Sequence, residues 1–319
     1  MLIERQLTLL RHGFIRHGFI QGRVMSEAAS FNVLPDKDRY FQELKATPLL
    51  SVPAVMLFLL AIAIIAAASL LAIEGEITWP MASLASGIAM YCLFSAAHEG
   101  LHHNLSNKRW LNDAIGRVAI LMLVPGAPFE VARWIHSQHH RFTSCDNDPD
   151  NFMHHGKWPV LIFRWMNFDI YYMIFFLRHG GDQKNRHGRA LIISVVVFLT
   201  IIASLIWTGY GRELLFLWIL PSRIGLGLIG FVFVFLPHYP ADISAEEDEF
   251  QATTMRLGWE WLLTPLLVYQ NYHLIHHLYP TVPFYNYHKI WHLKYEELTR
   301  HRLAVQRGFG LMPVGRVSD

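Results

Sequence analysis

Two segments of this chain repeat one pattern, HxxHH: "HSQHH" supplies His136, His139 and His140, and "HLIHH" supplies His273, His276 and His277. A third cluster, "HEGLHH", adds His98, His102 and His103. On a helix, positions i, i+3 and i+4 share a face, so each HxxHH projects three imidazoles in one direction. His98 and His102, four apart, do the same. Neutral imidazole suits iron, zinc, copper and nickel, whereas magnesium and calcium prefer oxygen ligands. A tetrahedral zinc takes about four ligands. These clusters supply more than that, which points to two metal ions.

Other residues enter by position. His238 follows a long apolar run and ends it on the side where the clusters must meet, which makes it a further candidate ligand. His103 is offset from His102 by about 100° on a helix, so it is a candidate either for the metal or for a place behind the ligands. "CDNDPDN" after the second cluster carries Asp146, Asp148 and Asp150. A carboxylate that accepts the second N–H of a metal-bound imidazole fixes its tautomer. Asp148 and Asp150, with Asn271 beside the third cluster, are candidates for that role; a solvated Asp-Pro turn is the alternative. His154, His155, His179, His187, His288, His292 and His301 lack the spacing and are expected in solvated or interfacial places. His12 and His17 lie in a tandem repeat, "RHGFIRHGFI", read as a basic amphipathic segment lying against a membrane surface.

Apolar segments must hold these clusters in place. Of 319 residues, 53% are hydrophobic and only 16% charged, and the apolar residues fall in blocks of membrane-span length. Four spans are expected, over residues 49–73, 81–97, 191–207 and 214–236. They form two hairpins closed by the short turns "EGEITWP" and "TGYGRE". Those turns hold one basic residue, Arg212, while the flanking segments hold nearly all the others, so the flanking segments are expected in the cytoplasm. Every histidine cluster then falls on the cytoplasmic face. Residues 159–177 are apolar but interrupted by Arg164 and Asp169, and read as an interfacial helix. Arg223, inside the fourth span beside Pro221, reads equally as a functional residue or as one that snorkels or pairs with a buried carbonyl, and is assigned no role. A net charge of +2 and the lack of a basic stripe argue against nucleic acid. Two cysteines make neither a disulfide framework nor a CxxC site. No cleavable leader is expected.

The expected fold is therefore an all-α integral membrane protein, with four transmembrane helices in two hairpins and a cytoplasmic helical cap holding a histidine-rich two-metal site. It reads as a single domain over residues 1–319. Its parts are an N-terminal arm (1–45), a first hairpin (49–98), a first cap segment (99–189), a second hairpin (190–237) and a second cap segment (238–319). Both termini and the site are expected in the cytoplasm.

"HEGLHHNLSNKRWLNDAIG", "IHSQHHRFTSCDNDPD" and "NYHLIHHLYPTVPFY" together resemble the three histidine boxes of the membrane fatty acid desaturase superfamily, which also includes carotenoid hydroxylases and ketolases. The resemblance runs from about residue 49 to 287. It implies two non-haem iron ions, with His98, His102, His136, His139, His140, His273, His276 and His277 matching box ligands. His238 matches the extra ligand after the fourth span, and His103 the third histidine of the HxxxHH variant. It also implies an O2-dependent oxidoreductase acting on a lipid or acyl chain from the bilayer. A separate ferredoxin, rubredoxin or cytochrome-type donor would supply electrons. Desaturation is the favoured reaction, with carotenoid or lipid hydroxylation or ketolation as the alternative.

Two rivals remain at this level. "HEGLH" also matches HExxH, with Glu99 as the base of a membrane zinc metalloprotease. A metal transporter with histidine-rich cytoplasmic loops is the other, although transport sites usually lie near the bilayer midplane.

Overall fold

The computed structural model describes residues 39–314. The tandem repeat at 11–20 lies outside them. The chain divides into two units, Met1–Gln42 and Glu43–Asp319. The long apolar helices and the histidine clusters all belong to the second.

Among the described residues, four helices are long and apolar enough to cross a membrane. We name them with their neighbours in chain order. Helix α1 is Val52–Ile73 and α2 is Trp79–Leu101. Shorter helices α3 (Arg109–Leu123), α4 (Phe129–Phe142), α5 (Trp158–Met166) and α6 (Phe168–His179) come next. The remaining two long helices are α7 (Gly181–Trp207) and α8 (Gly211–His238). The chain then runs through short elements that include α9 (Glu260–Leu266), α10 (His273–Leu278) and α11 (Tyr287–Leu293).

Each expected span thus has a helix. α7 starts ten residues before its apolar block, because the polar segment ahead of it continues the same helix. The all-α expectation needs one correction. Strands β1 (Thr254–Leu257) and β2 (Ala304–Arg307) pair in parallel, with Thr254 opposite Ala304.

Small residues let the long helices approach. Ala68 and Ala72 of α1 are buried against Ala82 of α2, the kind of contact that helices in lipid favour. Where α2 crosses α8, a Cβ on Gly87 would lie 2.5 Å from Ile224 Cγ2. A Cβ on Gly225 would lie 2.9 Å from Met90 Cβ. Glycine is needed at both points for this spacing.

Proline explains the shape of α8. A proline inside a helix lacks an N–H and crowds the carbonyl four residues earlier. Ahead of Pro221 and of Pro237 the helix opens into wide i→i+5 turns, at Leu215–Ile219 and Gly230–Phe235, which relieve that crowding. Within the first wide turn, the Phe216 carbonyl accepts the Ser83 hydroxyl of α2 at 2.6 Å. The prolines so turn a span into a helix anchored to its neighbour.

The segment expected as one interfacial helix is two. α5 and α6 meet at 72° across Asn167. Arg223 holds the break, donating to the Met166 carbonyl at 3.0 Å and to both oxygens of Asp169 at 2.9 and 2.6 Å. The structure thus shows Arg223 paired with a carbonyl and with a carboxylate.

Candidate metal centre

Four helices carry the imidazoles to one place. The C-terminal end of α2 brings His98, and His102 caps that helix. α4 brings His136, His139 and His140 on one face. α8 ends at His238, and α10 carries His273, His276 and His277.

The nitrogens gather into two nests. In the first, one nitrogen from each of His98, His102, His136 and His276 lies within 4.8 Å of the others. In the second, the same holds for His139, His238, His273 and His277. His140 stands between them, grouped with His276 and His277 and with its Nε2 3.2 Å from His136 Nε2.

The spacing inside the nests is that of ligands around an ion. Nε2 atoms face each other at 2.7 Å (His102 and His136), 3.0 Å (His273 and His277), 3.3 Å (His139 and His277) and 3.4 Å (His238 and His277). Two nitrogens at a tetrahedral ion with bonds of about 2.0–2.1 Å stand roughly 3.3 Å apart. Buried nitrogens this close must share either a proton or a cation between them. His276 Nε2 is buried with no hydrogen-bond partner among the described residues. With imidazoles alone in both nests, the donor set fits iron, zinc, copper or nickel and not magnesium or calcium.

Outer groups fix the direction of those lone pairs. His276 Nδ1 is 2.8 Å from the Tyr287 hydroxyl, and His273 Nδ1 is 2.6 Å from Gln270 Oε1. His238 Nδ1 donates to the Val234 carbonyl at 2.7 Å. His277 Nδ1 lies 3.3 Å from the Thr143 hydroxyl, whose own proton goes to the His139 carbonyl. His139 Nδ1 lies 3.0 Å from Asp148 Oδ1 and 3.3 Å from Asp150 Oδ2. With the proton held at Nδ1, a neutral ring offers Nε2 to the nest, and His139 does so on losing its second proton to a metal ion.

Charge follows burial. His102, His136, His140, His273, His276 and His277 are held well below the usual imidazole value, by burial first and then by neighbouring imidazoles. They are therefore neutral and able to ligate at neutral pH. Burial also presses His139 down, but the carboxylates of Asp150 and Asp148 overcome it and hold the ring up at about 9. Burial raises Asp150 to about 6.

Of the candidate ligands, His103 is the one the structure leaves outside every nest. α2 ends at Leu101 and His103 turns into the left-handed region at φ 61°, which takes its ring off the face that His98 and His102 share. Asp148 and Asp150 both lie beside His139 Nδ1. Asn271 does not stand behind an imidazole: its amide donates to Thr264 Oγ1 at 3.1 Å. Glu99, the base of the protease alternative, is in none of the nests, and its Oε2 accepts from the Phe284 N–H at 3.4 Å.

Spacing could have found one of the missed groups: Gln270 lies three residues before His273. Thr143 and His277 are 134 residues apart. Tyr287 follows a loop, and no local pattern links it to His276.

One apolar cavity of about 90 Å³ reaches the centre. Phe94, Leu123, Ile135, Leu226 and Phe233 line its length, and His98, His136, His139 and His273 line the metal end. A hydrocarbon placed in it would touch imidazoles of both nests.

The comparisons agree with this geometry. Residues 77–309 match the family model described as fatty acid desaturase. The chain is 32% identical to a beta-carotene ketolase of a Paracoccus species over 194 residues, 60% of this chain and 70% of the relative. It is 25% identical to an sn-1 oleoyl-lipid 12-desaturase of Anabaena variabilis over 246 residues, 67% of this chain and 55% of the relative. It is 22% identical to a fatty acid conjugase of Calendula officinalis over 252 residues, 65% of each. The chain thus spans little more than half the length of the Anabaena relative. With three histidine clusters brought together inside the matched region, the chain belongs to the fatty acid desaturase family.

Proposed function

We propose that this chain is a multi-pass membrane oxidoreductase that uses O2 and two iron ions to introduce a C=C bond into a fatty acyl chain. The observation that carries the reading is the pair of four-imidazole nests opening onto one apolar cavity. His98, His102, His136 and His276 would hold one ion, and His139, His238, His273 and His277 the other. His140 sits between the two. These residues would hold ferrous ions that, with O2 and two external electrons, would supply an oxidant for an unactivated C–H bond. The balance is one –CH2–CH2– unit, O2, two electrons and two protons, giving one –CH=CH– unit and two waters.

The residues of the chain do the remaining work. The apolar cavity walls bind the alkyl chain and exclude water, which protects the chemistry from side reactions. Ile135, one residue before His136 and one turn before His139, and Phe233, beside His98 at 5.9 Å between rings, set which carbon lies against the nests. The hydrogen bonds at Nδ1 orient the rings of His139, His238, His273, His276 and His277.

Two hairpins in the bilayer and a cytoplasmic cap are the arrangement this function needs. The basic residues support it, because the turns at 74–78 and 208–213 hold only Arg212 while the flanking segments hold nearly all others. Both termini and the metal centre then lie in the cytoplasm, where a separate ferredoxin, rubredoxin or cytochrome-type donor delivers electrons.

The second reading is a carotenoid or lipid ketolase or hydroxylase, supported by the 32% identity to the Paracoccus ketolase. Mass spectrometry of lipids and pigments from cells expressing the protein, beside a His139→Ala control, separates the two. A product two hydrogens lighter supports desaturation; a product that has gained oxygen supports the second reading.

A further inference from the structure

By spacing, His154 belongs with the solvated histidines. The structure puts it in the interior, 3% exposed, with both ring nitrogens lacking any partner among the described residues. It comes directly after the turn Pro149–Met153, which Asp148 caps. Its ring lies 5.4 Å from that of His238, in the second nest.

The carboxylates nearby are already engaged. Asp148 Oδ1 takes His139 Nδ1 and the Asp150 N–H, and Asp148 Oδ2 takes the Ser144 N–H at 2.8 Å. Asp150 is taken by the Tyr172 hydroxyl and by His139. His238 has its Nδ1 on the Val234 carbonyl and its Nε2 toward the nest. None of these groups makes a hydrogen bond to His154. A buried polar group left this way marks a partner that the described residues do not supply.

We infer that His154 is an outer member of the second nest, hydrogen-bonded to a water molecule carried by the metal ion that His139, His238, His273 and His277 hold. This rests on the two-metal reading above. Direct ligation fits less well. Ring pairs within that nest stand 4.7–5.2 Å apart, and His154 has a ring contact with His238 alone of the four. Four imidazoles leave an iron with open positions that solvent fills, and a buried water is held by two to four polar partners. The ion and His154 are two of them.

The test compares full-length wild type, His154→Leu and His154→Gln, each loaded anaerobically with ferrous ion. Three quantities are read: iron per chain, the rate of iron release to a chelator, and the melting temperature of the metal-free protein in detergent. Loss of a group behind a metal site weakens binding about 10–100-fold. One of the two irons should therefore leave His154→Leu about 10–100-fold faster, the other at the wild-type rate, with His154→Gln close to wild type. Metal-free His154→Leu should melt at or above wild type, because leucine removes two unpaired polar atoms. Release of both irons from His154→Leu at wild-type rates would overturn the inference. So would equal acceleration of both irons with a lowered metal-free melting temperature, the mark of a purely structural histidine. Fewer than two irons in wild type would instead count against the two-metal reading itself.

Discussion

Arg223 and Asp169 form a two-bonded ion pair, at 2.9 and 2.6 Å, between a membrane-span helix and the break that separates two shorter ones. Both are largely buried, with side chains 21% and 7% exposed. Asp169 also lines the apolar cavity, so the pair ties the cavity wall to α8. Removing one partner of such a pair leaves a buried charge and costs about 3–5 kcal/mol, whereas removing both costs far less. Asp169→Asn and Arg223→Leu should each lower the melting temperature in detergent strongly, and the Asp169→Leu/Arg223→Leu double variant should recover much of the loss. Additive losses in the double variant would show that the two residues act independently.

The groups at Nδ1 should matter for metal binding more than for folding. Tyr287→Phe takes away the partner of His276, in the first nest, and Thr143→Val that of His277, in the second. Each should weaken iron binding about 10–100-fold at one of two sites. Titration of the metal-free protein with ferrous ion would show one weakened and one unchanged phase. Two unchanged phases would remove the role assigned to these hydroxyls.

The cavity makes a separate prediction about substrate. Ala132 lines it on α4, one turn before His136. Ala132→Phe places a ring in a space of only about 90 Å³. Product formation should fall by at least tenfold while iron content stays at the wild-type level. A wild-type product yield would mean that the chain enters by another route.

The ligands themselves give the most severe loss. His139→Ala and His276→Ala each remove an imidazole from a different nest. Both variants should reach the membrane as wild type does and yet lose activity entirely. Full activity in either would end the ligand assignment.

Much of the fold can be read from the chain because its signals are local. An apolar block of about twenty residues is a span on length alone, and all four expected blocks lie on helices long enough to cross. HxxHH is read from helical geometry, and α4 and α10 carry both copies. Relations between distant segments stay hidden. Asn167 breaks a helix because Arg223, 56 residues later, draws the Met166 carbonyl. Tyr287 reaches His276 through the path of an intervening loop. His154 reads as solvated because no spacing rule links it to His238, 84 residues away. His103 misses the nests for a local reason that spacing alone conceals, since the helix that would have carried it ends two residues earlier.

Everything proposed for this chain depends on an iron ion in each of the two nests. Metal analysis of the purified wild-type protein, by mass spectrometry with protein quantified by amino-acid analysis, tests this most directly. About two irons per chain are expected after ferrous reconstitution, since each nest offers the roughly four ligands one ion needs. A single tightly held zinc per chain, with no uptake of iron, would contradict it.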